Sequence, residues 1–126
     1  NGSTNGMVAY CFAEVAGFSK FGSYTGNGSA DGPFVFCGFR PRFVLIKRTD
    51  SANDWIIYDS ARDTNNVERS RLYPNASAAE DYLDTMDFVS NGFKLRTAAG
   101  TAYNTNGGTY IFAAFAENPT KYALAR

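Results

Sequence analysis

The chain has 126 residues, of which 44% are apolar and 19% are charged. This length and composition indicate one globular domain that can bury its own core, and they exclude a disordered chain. Twelve basic and twelve acidic side chains cancel. A protein that binds phosphate backbones normally carries a basic excess, so nucleic acid is not an expected partner.

Strands are predicted for most of the short apolar and aromatic runs, because β-branched and aromatic residues favour strands and the intervening segments carry Gly, Pro, Asn and Asp. Asn91 and Gly92 separate two such runs and predict a tight hairpin. A helical turn or two is predicted at residues 76–82, and residues 67–73 fit either an edge strand or a loop. The Gly-rich residues 22–32 lack the Gly-Lys-Ser/Thr ending of a phosphate-binding loop and predict an ordinary loop. In chain order, the predicted strands are residues 7–15, 34–39, 43–48, 55–60, 86–89, 93–97 and 110–116.

Residues 43–46 and 110–115 are apolar at both alternating positions. Strands of this kind must be covered on both faces, so these two are predicted to lie inside a sheet. Many short strands joined by turns are typical of a sandwich or barrel. The predicted fold is all-β: a single antiparallel β-sandwich over residues 1–126, jelly-roll-like, with at most one or two short helical turns.

The two ends of the chain carry a similar sequence. Residues 9–14 (AYCFAE) resemble residues 112–117 (FAAFAE), and an Asn-Gly pair precedes each segment. This similarity predicts that residues 1–15 are equivalent to the closing strand of a preceding repeat unit. Units that complete each other's fold are typical of arrays. We therefore expect self-association or packing against a neighbouring unit.

Metal and cofactor sites are not expected. The chain has no histidine, and its two cysteines, Cys11 and Cys37, are far apart in the sequence. Zinc, copper and haem sites need such ligands, so we predict no metal and no cofactor. Both cysteines lie in apolar runs, which predicts buried free thiols. A disulfide is left open, because pairing depends on geometry.

Membrane insertion is not expected either, since no apolar run approaches the ~20 residues of a membrane-spanning helix. The N-terminus has no basic region followed by a hydrophobic stretch, so no signal peptide is predicted. The chain opens at Asn1 without an initiator methionine. It is therefore expected to be a processed product or part of something longer, synthesised in the cytoplasm.

Six segments spread along the chain carry a resemblance to a known family: residues 17–28 (GFSKFGSYTGNG), 38–41 (GFRP), 46–49 (IKRT), Trp55, residues 90–94 (SNGFK) and residues 110–119 (YIFAAFAENP). Together they resemble a domain of unknown function found in tail-fibre and other structural proteins of phages. The resemblance spans nearly the whole chain and implies a role in attachment or virion architecture, hence location in the virus particle. In that family the domain often follows a concanavalin-like lectin domain, which is absent here. The resemblance implies no site residues.

Catalysis is not expected, and no catalytic residue is predicted. Without histidine, Ser–His and Cys–His nucleophiles are excluded. A glycosidase would need two carboxylates about 5–10 Å apart across a cleft, and no spacing selects such a pair. Asp residues are common in turns and at strand ends, which is the simpler interpretation of these carboxylates. Asp50, Asn53, Asp54 and Asp59 could also offer oxygens to a calcium ion, but a turn rich in Asp and Asn again explains them more simply. The carboxylates considered are Asp54, Asp59, Asp81, Asp84 and Asp87.

The leading functional hypothesis is a structural or adhesive module of a phage tail fibre or related virion appendage that acts through protein–protein packing. The alternative is a carbohydrate-binding module that recognises a host glycan, in which aromatic rings stack on sugar and polar groups bind its hydroxyls. A flat apolar patch or an unpaired sheet edge favours the first hypothesis. An exposed aromatic ring beside converging polar groups favours the second. The candidate sugar-binding residues are Tyr24, Asp50, Asn53, Trp55 and Tyr58.

Overall fold

The computed structural model describes residues 6, 8–98 and 100–119 of the chain. Within these residues the regular secondary structure consists of strands alone, and no helix long and apolar enough to cross a membrane is found there. In chain order the strands are β1 (Ser19–Thr25), β2 (Phe34–Phe36), β3 (Pro41–Arg48), β4 (Ile56–Asp59), β5 (Glu68–Arg71), β6 (Asp81–Val89), β7 (Gly92–Leu95) and β8 (Thr109–Ala116).

The strands form two antiparallel four-stranded sheets. Sheet A has the order β1-β8-β3-β4, and sheet B has the order β2-β7-β6-β5. Pairing of the first strand with the last, and of the second with the seventh, is the nested arrangement of a jelly roll. The predicted antiparallel β-sandwich is therefore confirmed. The two strands that are apolar on both faces, β3 and β8, are the central strands of sheet A, as predicted.

The core lies between the sheets. The inner face of sheet A contributes Ile46 and Phe112, which are partners in the β3–β8 register. Sheet B contributes Phe93, whose ring centroid lies 5.4 Å from that of Phe112 in an edge-to-face contact. Alternating side chains of each strand thus interdigitate in one apolar layer, as in other sandwiches. Other fully buried side chains of this layer include Val44, Ile56, Tyr58, Met86, Phe88, Leu95 and Tyr110.

The predicted hairpin joins β6 and β7, but its geometry differs in detail from the expectation. Val89 pairs with Gly92, so the two turn residues are Ser90 and Asn91. Gly92 itself belongs to β7. A Cβ atom built on Gly92 would lie 2.0 Å from the carbonyl oxygen of Val35 in the adjacent strand β2. Glycine is therefore required here by the close approach of two backbones.

Two local predictions are wrong. Residues 8–14 form no strand, and the N-terminal strand of sheet A is instead Ser19–Thr25. This strand includes residues 22–25, the first part of the Gly-rich segment 22–32 that is predicted to be a loop. Met7 lies outside the described residues. Residues 76–82 form no helix, since residues 77–80 are irregular and β6 begins at Asp81. Pairing of Tyr82 with Ser70 across the sheet overrides the weak local preference for a helix.

Residues 67–73, which fitted either a strand or a loop, contain β5 at the edge of sheet B. Beyond β5, Leu72 exchanges backbone hydrogen bonds with Ile57 of β4, at 2.9 Å and 3.2 Å. This bridge connects the two sheets and occupies one position, Ile57, on the β4 edge of sheet A. The opposite edge of sheet A, along β1, has no neighbouring strand in the described part of the chain.

The two cysteines differ in environment, and both thiols are free. Cys37 is buried as predicted, and burial raises its pKa to about 12. Cys11 is exposed, contrary to the expectation of a buried thiol. Its apolar neighbours Tyr10 and Phe12 are exposed too, because residues 8–14 lie outside the sandwich.

Candidate functional site

The outer face of sheet A is apolar along its two central strands. The register of β1, β8 and β3 places Phe21, Ala113 and Leu45 side by side on this face. Ile111 lies next to them and is 39% exposed. An antiparallel sheet that faces water on one side normally carries polar residues there. This face is therefore built to be covered, and we call it the outer apolar face.

Residues 8–18 cover one part of the outer apolar face with aromatic rings. The ring of Phe12 stacks on that of Phe21 with centroids 5.8 Å apart, and it meets the edge of Phe115 at 6.0 Å. Phe18 and Phe43 also contact the Phe115 ring, at 6.1 Å and 5.9 Å. Such edge-to-face and stacked pairs stabilise beyond the area they bury. Phe12 nevertheless remains 66% exposed, so the cover is partial.

A groove of 820 Å³ remains open on the same face, between residues 8–14 and the segment around Trp55. Its rim is fixed by Asn75, which accepts a hydrogen bond from the Trp55 backbone N–H at 2.8 Å and donates one to Asp54 at 2.8 Å. Three of the lining side chains carry a polar group: the Asn75 amide, the Tyr10 hydroxyl and the Trp55 indole. The other lining residues are apolar. The full lining is Tyr10, Phe12, Phe21, Gly22, Leu45, Trp55, Pro74, Asn75, Ile111, Phe112 and Ala113.

Two of the candidate sugar-binding residues, Tyr24 and Tyr58, lie in the core. Tyr58 is fully buried, and Tyr24 is 8% exposed. The Tyr24 hydroxyl donates a hydrogen bond of 2.8 Å to the Tyr103 carbonyl oxygen, and its ring stacks on that of Tyr110 at 4.9 Å. Burial raises the pKa of both hydroxyls above the ordinary value of tyrosine. Neither ring offers a face to a ligand in this structure.

The other three candidates lie at the surface but make separate contacts. Asp50 forms an ion pair of 2.7 Å with Arg48. The Asn53 side-chain oxygen accepts a hydrogen bond of 2.9 Å from Thr101. Trp55 faces the apolar groove instead. The structure therefore does not bring the five candidates together into one polar and aromatic site.

The carboxylates considered for catalysis or metal binding mostly have structural partners. Asp59 pairs with Arg62 at 2.6 Å, and Asp87 pairs with Arg96 at 2.5 Å. Asp81 pairs with Arg71, whose guanidinium spans both carboxylate oxygens at 2.8 Å and 2.5 Å. Among the described residues, no group of three or more His, Cys, Asp or Glu side chains is placed to hold a metal ion.

Sequence reasoning missed a polar cleft of 480 Å³ beside β5. Arg69 and Asp84 line it with exposed side chains. Tyr82, two residues before Asp84 on the same face of β6, is 65% exposed. Tyr82 is not itself a lining residue, and its hydroxyl donates a hydrogen bond of 3.1 Å to Glu80. The pairing of β5 with β6 brings Arg69, Tyr82 and Asp84 onto neighbouring strands. The lining consists of residues 62–67, Arg69 and Asp84. Glu68, between Val67 and Arg69 in the sequence, does not line the cleft because its side chain faces the interior.

Glu68 is a second feature that the sequence does not reveal. Its carboxylate is fully buried between the sheets, and neither oxygen has a hydrogen-bond partner among the described residues. Burial, with the nearby charge of Asp63 adding to it, raises the pKa of Glu68 to about 8. A neutral carboxyl is the expected form in this environment at neutral pH. Glu68 lines neither the polar cleft nor the apolar groove, so we expect its burial to act on stability.

The family model for a domain of unknown function (DUF7483) matches residues 1–119 of the chain. The match covers every strand of both sheets. No curated protein and no solved structure matches the chain.

Proposed function

The chain belongs to DUF7483, a family of domains of unknown function. We propose that it is a structural or adhesive module of a phage tail fibre or related virion appendage. The module acts by packing against other proteins and not by catalysis. The observation that carries the proposal is the outer apolar face of sheet A. The resemblance of its motifs to domains of phage structural proteins supports the same setting.

The outer apolar face leaves apolar side chains partly accessible to water. Phe21, Leu45 and Ala113 are half-buried, and Ile111 is exposed. Removing apolar surface from water yields roughly 25 cal/mol per Å², so a partner that covers these residues and the adjacent groove gains stability from each of them. Contiguous apolar surface of this kind commonly marks protein–protein contacts. The apolar lining also favours protein over sugar at this groove, because a sugar needs several polar partners.

Ile111→Asp should abolish association through the outer apolar face, because a carboxylate would be buried there without a partner. Sedimentation velocity over a range of concentrations should show wild-type chains associating and the variant remaining monomeric. The unfolding curve of the variant should stay close to that of wild type, since Ile111 is not a core residue.

Ala79→Asp is the matched control, because Ala79 is exposed and lies just before β6 of the other sheet. It should associate like wild type. A wild-type chain that stays monomeric throughout, or an Ile111→Asp chain that associates as before, would contradict the assignment of this face.

We propose carbohydrate binding as the second candidate function, and we place it at the polar cleft beside Tyr82. The Tyr82 ring is free to stack on the apolar face of a sugar, while Asp84 and Arg69 offer an acceptor and a planar donor to its hydroxyls. Neither of these two side chains makes a hydrogen bond or ion pair within the described residues. In the proposed setting, a module at the surface of a virus particle meets the glycans of a host cell, so the proposed ligand is a host glycan.

Tyr82→Ala should weaken binding of any glycan selected on an array by about tenfold or more, equal to about 1.4 kcal/mol. Titration calorimetry of the selected glycan with both proteins measures this. Tyr10→Ala is the matched control, because Tyr10 is 83% exposed and lies at the apolar groove instead. Equal loss in both variants, or no glycan selected at all, would argue against the cleft.

A further inference from the structure

The free edge of β1 offers backbone groups to an additional strand. β1 pairs with β8 on one side only. Gly26 donates its N–H to Gly108, and Phe18 accepts the N–H of Ala116, each at 2.9 Å. Hydrogen-bonding direction alternates along a strand, so even-numbered residues face β8 and odd-numbered ones face the open edge. The N–H and C=O groups of Phe21, Ser23 and Thr25 are therefore available to a partner.

Residues 8–14 have the pattern of a strand without a ladder. Val8, Tyr10 and Phe12 alternate along the segment and are 79%, 83% and 66% exposed. The segment resembles residues 112–117, most of which belong to β8, the strand that already pairs with β1 on its other side. Because residues 112–115 pair with one edge of β1, the similar residues 9–14 have the β-propensity to pair with its other edge. We call residues 9–14 the arm.

One backbone bridge sets the register that the arm would adopt. Val15 pairs antiparallel with Ser19, on either side of a turn that contains Gly17 at a φ of +74°. Continuing this register places residue 13 opposite Phe21 and Cys11 opposite Ser23. The ion pair between Glu14 and Lys20, the next pair in the register, already forms. Beyond this point the arm leaves β1, and Phe12 lies on the outer apolar face of its own chain.

We propose that the arm of one copy adds as an antiparallel strand to the free edge of β1 in a second copy of this chain. The proposal rests on the proposed function and names its partner. Within one chain the Val15–Ser19 bridge forms, yet the arm stays off its own edge. A Cβ atom built on Gly17 would meet open space beyond its chain neighbours, so no side chain of the sandwich packs against the turn at this residue. Mutual exchange of two arms closes a two-fold dimer.

A single cysteine introduced opposite the exposed Cys11 tests the register and the partner together. In Ser23→Cys, the thiols of residue 23 and Cys11 of the other copy would lie on directly opposed residues, within the 4.4–6.8 Å Cα separation that disulfides require. Mild oxidation with oxidised glutathione should convert this variant to a covalent dimer several times faster than the control variant. Peptide mapping should identify the bond as 11–23 between copies.

Thr25→Cys is the matched control, because its register partner is residue 9 and not Cys11. Wild-type protein, which keeps Cys11, measures the background of random Cys11–Cys11 bonds. Equal rates in Ser23→Cys and Thr25→Cys, or no cross-link in either, would overturn the proposal. An 11–23 bond within monomers would overturn it too, since the arm would then pair with its own edge. Association that depends on Ile111 but gives no 11–23 bond would refute the arm alone and leave the proposed function standing.

Discussion

Replacing Ile46 with alanine should lower the free energy of unfolding by about 2–5 kcal/mol, because the change removes buried methyl groups and leaves a cavity. Ile46 is fully buried in the central strand β3, between Ile56 of β4 and Phe112 of β8. These two neighbours belong to the strands that flank β3 in the same sheet, so the space cannot collapse without shifting their pairing. Urea denaturation followed by tryptophan fluorescence, with Trp55 as the single probe, measures the change.

Phe112→Ala should cost a similar amount, since its ring packs between the sheets against Phe93. Ile111→Ala is the matched control, because it removes a comparable side chain from the exposed face of the same strand. It should change stability by less than either core variant. Losses below about 1 kcal/mol at both Ile46 and Phe112 would be incompatible with their place in a packed core.

Glu68→Gln should remove a pH dependence of stability worth a few kcal/mol. The pKa of Glu68 is about 8 in the folded chain, against an ordinary value of 4.5. Below pH 4.5 both states carry the proton, and the carboxyl adds no charge penalty. Between pH 4.5 and about 8 the unfolded chain releases the proton while the folded chain retains it. Stability of wild type therefore falls as pH rises through this window, and above it the full penalty is present.

Urea unfolding of wild type and Glu68→Gln at pH 5 and pH 8.5 isolates this effect, since the variant has no proton to release at this position. The advantage of the variant should grow from the lower to the higher pH. The charges that face Glu68 are Asp63, Arg40, Asp59 and Arg62, and they are unchanged in the variant. Asp84→Asn, which removes an exposed carboxylate from the same sheet, is the control. Parallel curves for wild type and Glu68→Gln would show that Glu68 ionises freely.

The strands predicted correctly are those whose local sequence is sufficient to define them. β3 and β8 contain residues 43–46 and 110–115, which are apolar at both alternating positions, and runs of this length between turn residues are typical of strands covered on both faces. β1 was missed because Gly22 and Ser23 weaken its intrinsic preference for a strand. Its pairing with β8, remote in the sequence, determines its conformation. β5 is ambiguous for a related reason, since Arg71 gains Asp81 as its partner only once the sheet forms.

The candidate site was harder to predict than the fold. Sequence alone does not tell which side of a strand an aromatic ring occupies, so Tyr24 and Tyr58 were selected although both point inward. Trp55 was selected, and it does line a groove, but one of apolar character. The polar cleft depends on residues 62–67, Arg69 and Asp84, which lie on different strands and loops. The apolar outer face was the more predictable feature, because the requirement to cover both faces of β3 and β8 follows from their sequence.

The place of β8 in sheet A has a consequence for the order in which the domain acquires its structure. Sheet B contains the β6–β7 hairpin and the adjacent β5, whose contacts are close in sequence. In sheet A, β1 and β3 do not touch each other, because β8 lies between them. During synthesis the ribosome releases β1 and β3 long before Thr109–Ala116. Until β8 emerges, Val44 and Ile46 of β3 therefore lack their pairing partners in that strand. Non-local pairing of this kind slows folding and lengthens the exposure of apolar strands. β8, the last of the described strands in chain order, is thus the strand that joins β1 to the rest of sheet A.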